Sequence, residues 1–208
     1  MRNLDITPTV FNGLLGQTVE MVQRQFEELD KRKAYAGHGQ SQVEAWFDEA
    51  LPQTGMDGKQ LLDLVEERVL NSATMNIGPH MYGYVVSGGN QIGILAETLA
   101  ATINQNVGKW HLAPAITEID KRVIQWVSGM IGCADHVGGF LGSSGSSANL
   151  DGLTVARNIF FERQGIRKQG LFGLKPMTVY CSDETHSSIE KSVQLLGIGS
   201  DHMRKIPT

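Results

Sequence analysis

The apolar positions of the first seventy residues recur every three or four places. Val10, Leu14, Val19, Val22, Phe26 and Leu29 make one such stripe. Thr7-Pro8 opens it, with Thr as N-cap and Pro at the first helical position, and Gly37 and Gly39 are expected to close it. A shorter segment begins at Ser41 around Val43, Trp46 and Phe47. Residues 52–58 read as a turn, and Leu61, Leu62, Val65 and Val69 as another amphipathic helix. The spacing predicts helices and no strand up to about residue 72. Such striped helices need a surface to pack on, either within a small helical subdomain or on a second subunit.

The pattern changes at residues 75–90, MNIGPHMYGYVVSGGN, rich in Gly and aromatics and poor in charge. A hinge, a pocket lining and an ordinary buried connection all fit it. Asn90 can cap a helix carrying Ile92, Leu95, Leu99 and Ile103 that runs out near Gly108. Pro114 starts another, with Glu118 and Asp120 in its first turns as the dipole favours, and with Ile116, Ile119, Val123, Trp126 and Met130 on its apolar side. Residues 137–141 form a short apolar run and 142–147 a Gly/Ser turn. A helical pattern of Leu150, Leu153, Ala156 and Phe160 follows. MTVYC at 177–181 suits a strand buried on both faces. SDETHSS comes next, then a helix with Ile189, Val193 and Leu196 that Gly197 and Gly199 stop, and a third strand within 202–206. Strand, helix, strand, helix, strand predicts parallel pairing, with ligands beyond the carboxyl ends of the strands. The turn at 142–147 and the segment 182–186 both lie there and are expected to be neighbours.

The turn at 142–147 carries the main chemical signal. A strand, a small-residue turn and a helix leave N–H groups of the first helical turn facing an anion, with about half a positive charge from the dipole. Gly145 permits close approach of a phosphate, and Ser144, Ser146 and Ser147 can add hydroxyl donors. A flexible linker is a competing reading, although this turn joins a strand directly to an amphipathic helix; a plain Ser-capped turn is another. No Gly-Lys-Ser/Thr follows, the glycines do not form GxGxxG, and Ser146 stands where a hydrolase elbow around Ser144 needs Gly.

Charge is mixed, with a formal net of -4 and no basic run, which argues against nucleic acid as the main partner. No apolar stretch is long enough for a membrane span, and the first ten residues are neither signal nor transit peptide. Cys133 and Cys181 form no CxxC and read as free buried thiols in a reducing compartment. His38, His80, His111, His136, His186 and His202 are scattered and show no zinc-site spacing, so no metal is expected.

Four stretches, in this order and spacing, make the chain resemble the group II pyridoxal-phosphate decarboxylases, which act on aromatic amino acids, glutamate and tyrosine. GPHMYGYVVSGG at 78–89 is similar to the family's substrate loop, and WHLAPAITEID at 110–120 to its Ser-Pro-Ala…Thr-Glu-Leu-Glu pattern. SSGSSAN at 143–149 resembles the Ser-Gly-Gly-Ser-Glu-Ala-Asn turn that holds the cofactor phosphate. SDETHSSIEKSVQLLG at 182–197 resembles the Ser-Asp-x-x-His-Ser-Ser segment. Departures stand at Ser144, Ser147 and Ala113.

The resemblance implies an α/β protein of the PLP-dependent transferase fold type I, incomplete here. Residues 1–74 would be an N-terminal helical arm that forms a homodimer, and residues 75–208 the first part of the large, mainly parallel-sheet domain. It implies pyridoxal 5′-phosphate as cofactor, bound by Ser144, Gly145 and Ser146, with the His186 ring stacked on the pyridine. His80, Tyr84, Val86, Ser87, Asn106 and Gly108 would line the substrate pocket. From its residues alone, a lone His after a strand reads as a capping or surface group. Val85 and Val86 beside Ser87 and Asn106 lean toward an aromatic amino acid, converted to an amine and carbon dioxide in the cytoplasm. The Schiff-base lysine and the pyridinium-pairing aspartate are expected beyond residue 208, since Lys168, Lys175, Lys191 and Lys205 match no such motif. Another fold type I enzyme (an aminotransferase or carbon–carbon lyase) and a short non-catalytic partner protein remain the alternatives.

Overall fold

The computed structural model describes residues 6–134 and 137–208. His136 lies outside the described residues. By contacts the chain divides after Asn104 into two compact units.

In the first unit, α1 (Pro8–Glu27) starts as the sequence predicts: Thr7 takes the Val10 N–H on its hydroxyl, and Pro8 needs no acceptor. It ends ten residues before Gly37. The chain turns at residues 28–32, and the Arg32 guanidinium reaches the Leu70 carbonyl at 2.9 Å, a tertiary bond that a continuing helix would forgo. α2 (Gln40–Phe47) follows. α3 (Gly58–Val65) is capped by Asp57 and continues into a wider turn, Glu66–Leu70. Gln17 donates to Asp63 at 2.7 Å, and Arg24 meets Glu66 at 2.6 Å, which raises the guanidinium pKa; these bonds join α1 to α3. The Met75 N–H donates to the Ala34 carbonyl, so the segment after residue 74 stays tied to this unit. α4 (Gln91–Ile103) has Asn90 as cap, its side chain taking the Gly93 N–H at 2.8 Å, and stops at Asn104 in the left-handed region. Its stripe of Ile92, Leu95, Leu99 and Ile103 is more than half exposed at every position.

In the second unit, α5 (Pro114–Met130) follows Ala113, which is fully buried. Glu118 sits past the first turn. Its carboxylate takes the Lys121 ammonium at 2.8 Å and the Trp110 indole N–H at 2.7 Å, and is held below the usual carboxylate range chiefly by Lys121. Residues 137–141 form no ladder among the described residues: the expected first strand has no pairing partner there. α6 (Gly145–Phe160) and α7 (Ile166–Gln169) precede β1 (Val179–Ser182). α8 (Ser188–Leu195) then crosses to β2 (Met203–Ile206). The strands pair in parallel, Val179 opposite Met203 and Ser182 opposite Ile206.

The core of this unit is Val193, Leu196 and Ile198, packed by Leu150 and Leu153 of α6, Ile189 of α8, and Met177, Val179 and Met203. It covers one sheet face only, so β1 is not buried on both sides; Tyr180 is 70% exposed. Cys133 and Cys181 are unpaired, but neither is buried, Cys133 being exposed. Gly197 takes φ 70 where α8 stops, a backbone that favours glycine.

Two outcomes follow. Val193→Ala removes two methyl groups from a fully buried site and should cost about 1–3 kcal/mol in denaturant unfolding. Lys121→Met should return the Glu118 pKa toward its ordinary value, followed by carboxyl carbon NMR. Because that pKa is lowered by folding, whatever stability it contributes is present above the ordinary carboxylate value and lost as pH falls through the lowered one.

Candidate active site

The site begins at the first turn of α6. Ser144 is the N-cap, in extended backbone. Its hydroxyl accepts the Ser147 N–H at 3.2 Å, and Ser147 Oγ accepts the Ser144 N–H at the same distance, a reciprocal capping box. Ser144 is thereby committed to shaping the turn. The N–H groups of Gly145 and Ser146 have no acceptor among the described residues, and no side-chain bond engages the Ser146 hydroxyl. A Cβ built on Gly145 would meet nothing within 4 Å, so the backbone there is open to approach. Two free N–H donors at the positive end of a 16-residue helix, with a hydroxyl beside them, are suited to an anion such as a phosphate.

The second component follows β1. The Asp183 N–H donates to the Ile206 carbonyl at 3.1 Å, extending the strand pairing into the loop. Thr185 N–H turns back to Ser182 O, and His186 comes next, two residues before α8. His186 Nδ1 lies 2.8 Å from Ser188 Oγ and 3.2 Å from the Ser188 backbone nitrogen. Ser188 Oγ also receives the Asn149 side-chain amide at 2.9 Å. Asn149 belongs to α6, so one hydrogen bond stitches the helix bearing the Gly/Ser turn to the helix behind His186. The bond lies two residues beyond each of the two segments expected to be neighbours, the turn at 142–147 and the segment 182–186. Asn149 and Ser188 were not singled out from the sequence, although both lie inside the quoted stretches. The signal was a carboxamide in the second turn of a helix, at a position that packs inward.

The remaining candidates fall in separate groups. In the first unit His80 Nε2 is 3.2 Å from the Asp30 carbonyl, Tyr84 is exposed with φ 65, and Val86 is exposed. Ser87 borders a cavity of about 290 Å³ with Val22, Phe26, Leu29, Ile77 and Ile94. In the second unit the Asn106 carboxamide accepts the Gly108 N–H at 2.8 Å. Among the described residues no three His, Cys, Asp or Glu side chains cluster as a metal site, and no helix is long and apolar enough to cross a membrane.

Residues 41–208 match the pyridoxal-dependent decarboxylase conserved domain. The chain belongs to this family. It is 27% identical over 206 residues to an aromatic-L-amino-acid decarboxylase of Bacillus atrophaeus, covering 99% of this chain and 41% of that protein. It is 30% identical over 179 residues to a phenylacetaldehyde synthase of Arabidopsis thaliana, covering 81% of this chain and 36% of that one. Among solved structures, Oryza sativa TDC with PLP superposes with a TM-score of 0.84 at 20% identity, over all of this chain and 45% of that one. This pyridoxal-dependent decarboxylase domain therefore has part of the α/β fold type I architecture, and it spans about two-fifths of the length of the relatives it matches.

Ser144→Ala should remove one half of the capping box and cost about 1 kcal/mol, whereas Ser144→Gly should cost only a few tenths, in chemical denaturation.

Proposed function

We propose that this chain is the N-terminal part of a pyridoxal-phosphate-dependent amino-acid decarboxylase, a carboxy-lyase that converts an L-amino acid, preferentially aromatic, to its amine and carbon dioxide. The observation that carries the reading is the Asn149–Ser188 bond. It joins, in a member of this family, the helix whose N-terminus is open to the helix that follows His186. When bound, pyridoxal 5′-phosphate supplies an electron sink for the pair released as carbon dioxide leaves. In this reading the Gly145 and Ser146 N–H groups and the Ser146 hydroxyl hold the phosphate, and Ser144 fixes the turn that aims them. His186 would contact the cofactor ring and help to orient it. His80, Tyr84, Val86 and Ser87 are the candidate substrate contacts of the first unit, and Asn106 and Gly108 those of the second. The Schiff-base lysine belongs to the part of the enzyme beyond this chain.

The N-terminal helices, residues 1–74, form a homodimer in this account. Val10, Phe11, Leu15 and Val19 of α1 are exposed, more apolar surface than a few short helices bury alone. The absence of a membrane-crossing helix among the described residues is compatible with a cytoplasmic enzyme. A second reading is favoured by the likeness to a phenylacetaldehyde synthase: another reaction of the same cofactor, giving an aldehyde.

Product analysis of the whole protein with pyridoxal 5′-phosphate and aromatic L-amino acids separates the two. Amine with one equivalent of carbon dioxide is expected, and aldehyde or keto acid would overturn the assignment. His186→Ala should lower single-turnover rate by about a hundredfold while weakening cofactor binding modestly. Ser146→Ala should weaken cofactor retention first. Wild-type turnover and affinity in His186→Ala would return that residue to a purely capping role. Deleting residues 1–72 should give insoluble or monomeric protein; a soluble, active dimer would contradict the arm.

A further inference from the structure

His186 caps α8 as well as facing the loop, and the cap constrains its protons. The Ser188 backbone N–H can only donate, and at 3.2 Å it points at His186 Nδ1. Nδ1 must therefore carry a lone pair, and the proton of the neutral ring sits on Nε2. Ser188 Oγ, 2.8 Å from the same nitrogen, has one hydrogen, and Nδ1 is its acceptor. Its lone pair then receives the Asn149 amide at 2.9 Å. Turning the Asn149 carboxamide over would redirect the serine hydrogen, but it would leave the backbone N–H on Nδ1 unchanged. Ser188 is 3% exposed, and its carbonyl accepts the hydroxyl of Ser192, itself 2% exposed, so the serine is anchored on both sides away from solvent.

We propose that the first turn of α8 locks His186 as the Nε2–H tautomer, with Asn149 and Ser188 as positioning residues that reinforce the lock, making Nε2 a fixed hydrogen-bond donor and excluding it as a proton acceptor. This rests on the reading of His186 as the ring beside the cofactor, and it narrows what that ring does. Its single lone pair is spent on the first turn of α8, so the ring stacks and donates; it does not take a proton from substrate. Protonating Nδ1 would set one N–H against another and release the cap. A relay from α6 through Ser188 to the imidazole also transmits the position of the Gly/Ser turn to the ring, because the same helix carries both.

The test needs no cofactor. Long-range proton–nitrogen NMR on the whole protein labelled at histidine, above the ordinary histidine pKa of about 6.5, distinguishes the tautomers directly. The His186 signals are assigned by their loss in His186→Gln. The expected result is an unprotonated Nδ1 and a protonated Nε2. An Nδ1–H ring, or the averaged shifts of free imidazole, would overturn the proposal. Asn149→Asp is nearly the same size but replaces the donor by an acceptor that claims the Ser188 hydrogen. It should raise the Nδ1–H population severalfold while the backbone amide spectrum stays folded, and Ser188→Thr, which keeps the hydroxyl, should retain the wild-type tautomer. An unchanged tautomer in a folded Asn149→Asp protein would remove Asn149 from the relay. If His186→Ala leaves cofactor binding intact, the stacking role fails while the tautomer result stands, so the two failures are told apart.

Discussion

The second unit depends on how α6 and α8 are held together. Leu150 and Leu153 of α6 close over Val193, Leu196 and Ile198, and this apolar contact supplies the affinity between the helices. Apolar packing is non-directional and would tolerate small slides of one helix on the other. The Asn149–Ser188 bond supplies the register, since a slide would cost the buried Ser188 oxygen its Asn149 donor. At the far end Arg157 of α6 bonds the Leu196 carbonyl at 3.0 Å, so the helices are pinned at both ends of the contact. The free N–H groups of Gly145 and Ser146 and the ring of His186 then have fixed positions relative to one another.

Much of the apolar patterning is spent on surfaces that this chain leaves open. α4 presents Ile92, Leu95, Leu99 and Ile103 outward, and α5 presents Ile119, Trp126 and Met130. A helix that is striped in sequence yet exposed on its stripe is made to be covered by something else. The same holds for the sheet. β1 and β2 pair with each other, and one face is packed by the helices while Tyr180 of the other face is open. These open faces agree with a chain that spans two-fifths of its relatives.

Helix starts were legible because they rest on local chemistry. Thr7-Pro8, Asn90, Pro114 and Ser144 each begin a helix where the side chain or ring dictates. Helix ends were less so. α1 stops at Glu27, and just beyond it Arg32 reaches Leu70, a contact thirty-eight residues away in sequence that no local pattern contains. The strand expected at residues 137–141 has no pairing partner among the described residues for a related reason, since a strand exists only with a partner. The Gly/Ser turn and His186 were legible as motifs, but the Asn149–Ser188 bond that joins their two helices was not. Asn149 reads as one more polar helix residue until the fold brings Ser188 to it.

The central claim is that the first turn of α6 and the ring of His186 are two walls of one cofactor site. A crystal structure of the whole protein with pyridoxal 5′-phosphate tests it most directly. The account predicts phosphate oxygens within hydrogen-bond distance of the Gly145 and Ser146 N–H groups, with the pyridine lying flat against the His186 imidazole. A phosphate bound away from the start of α6, or a pyridine out of contact with His186, would contradict it.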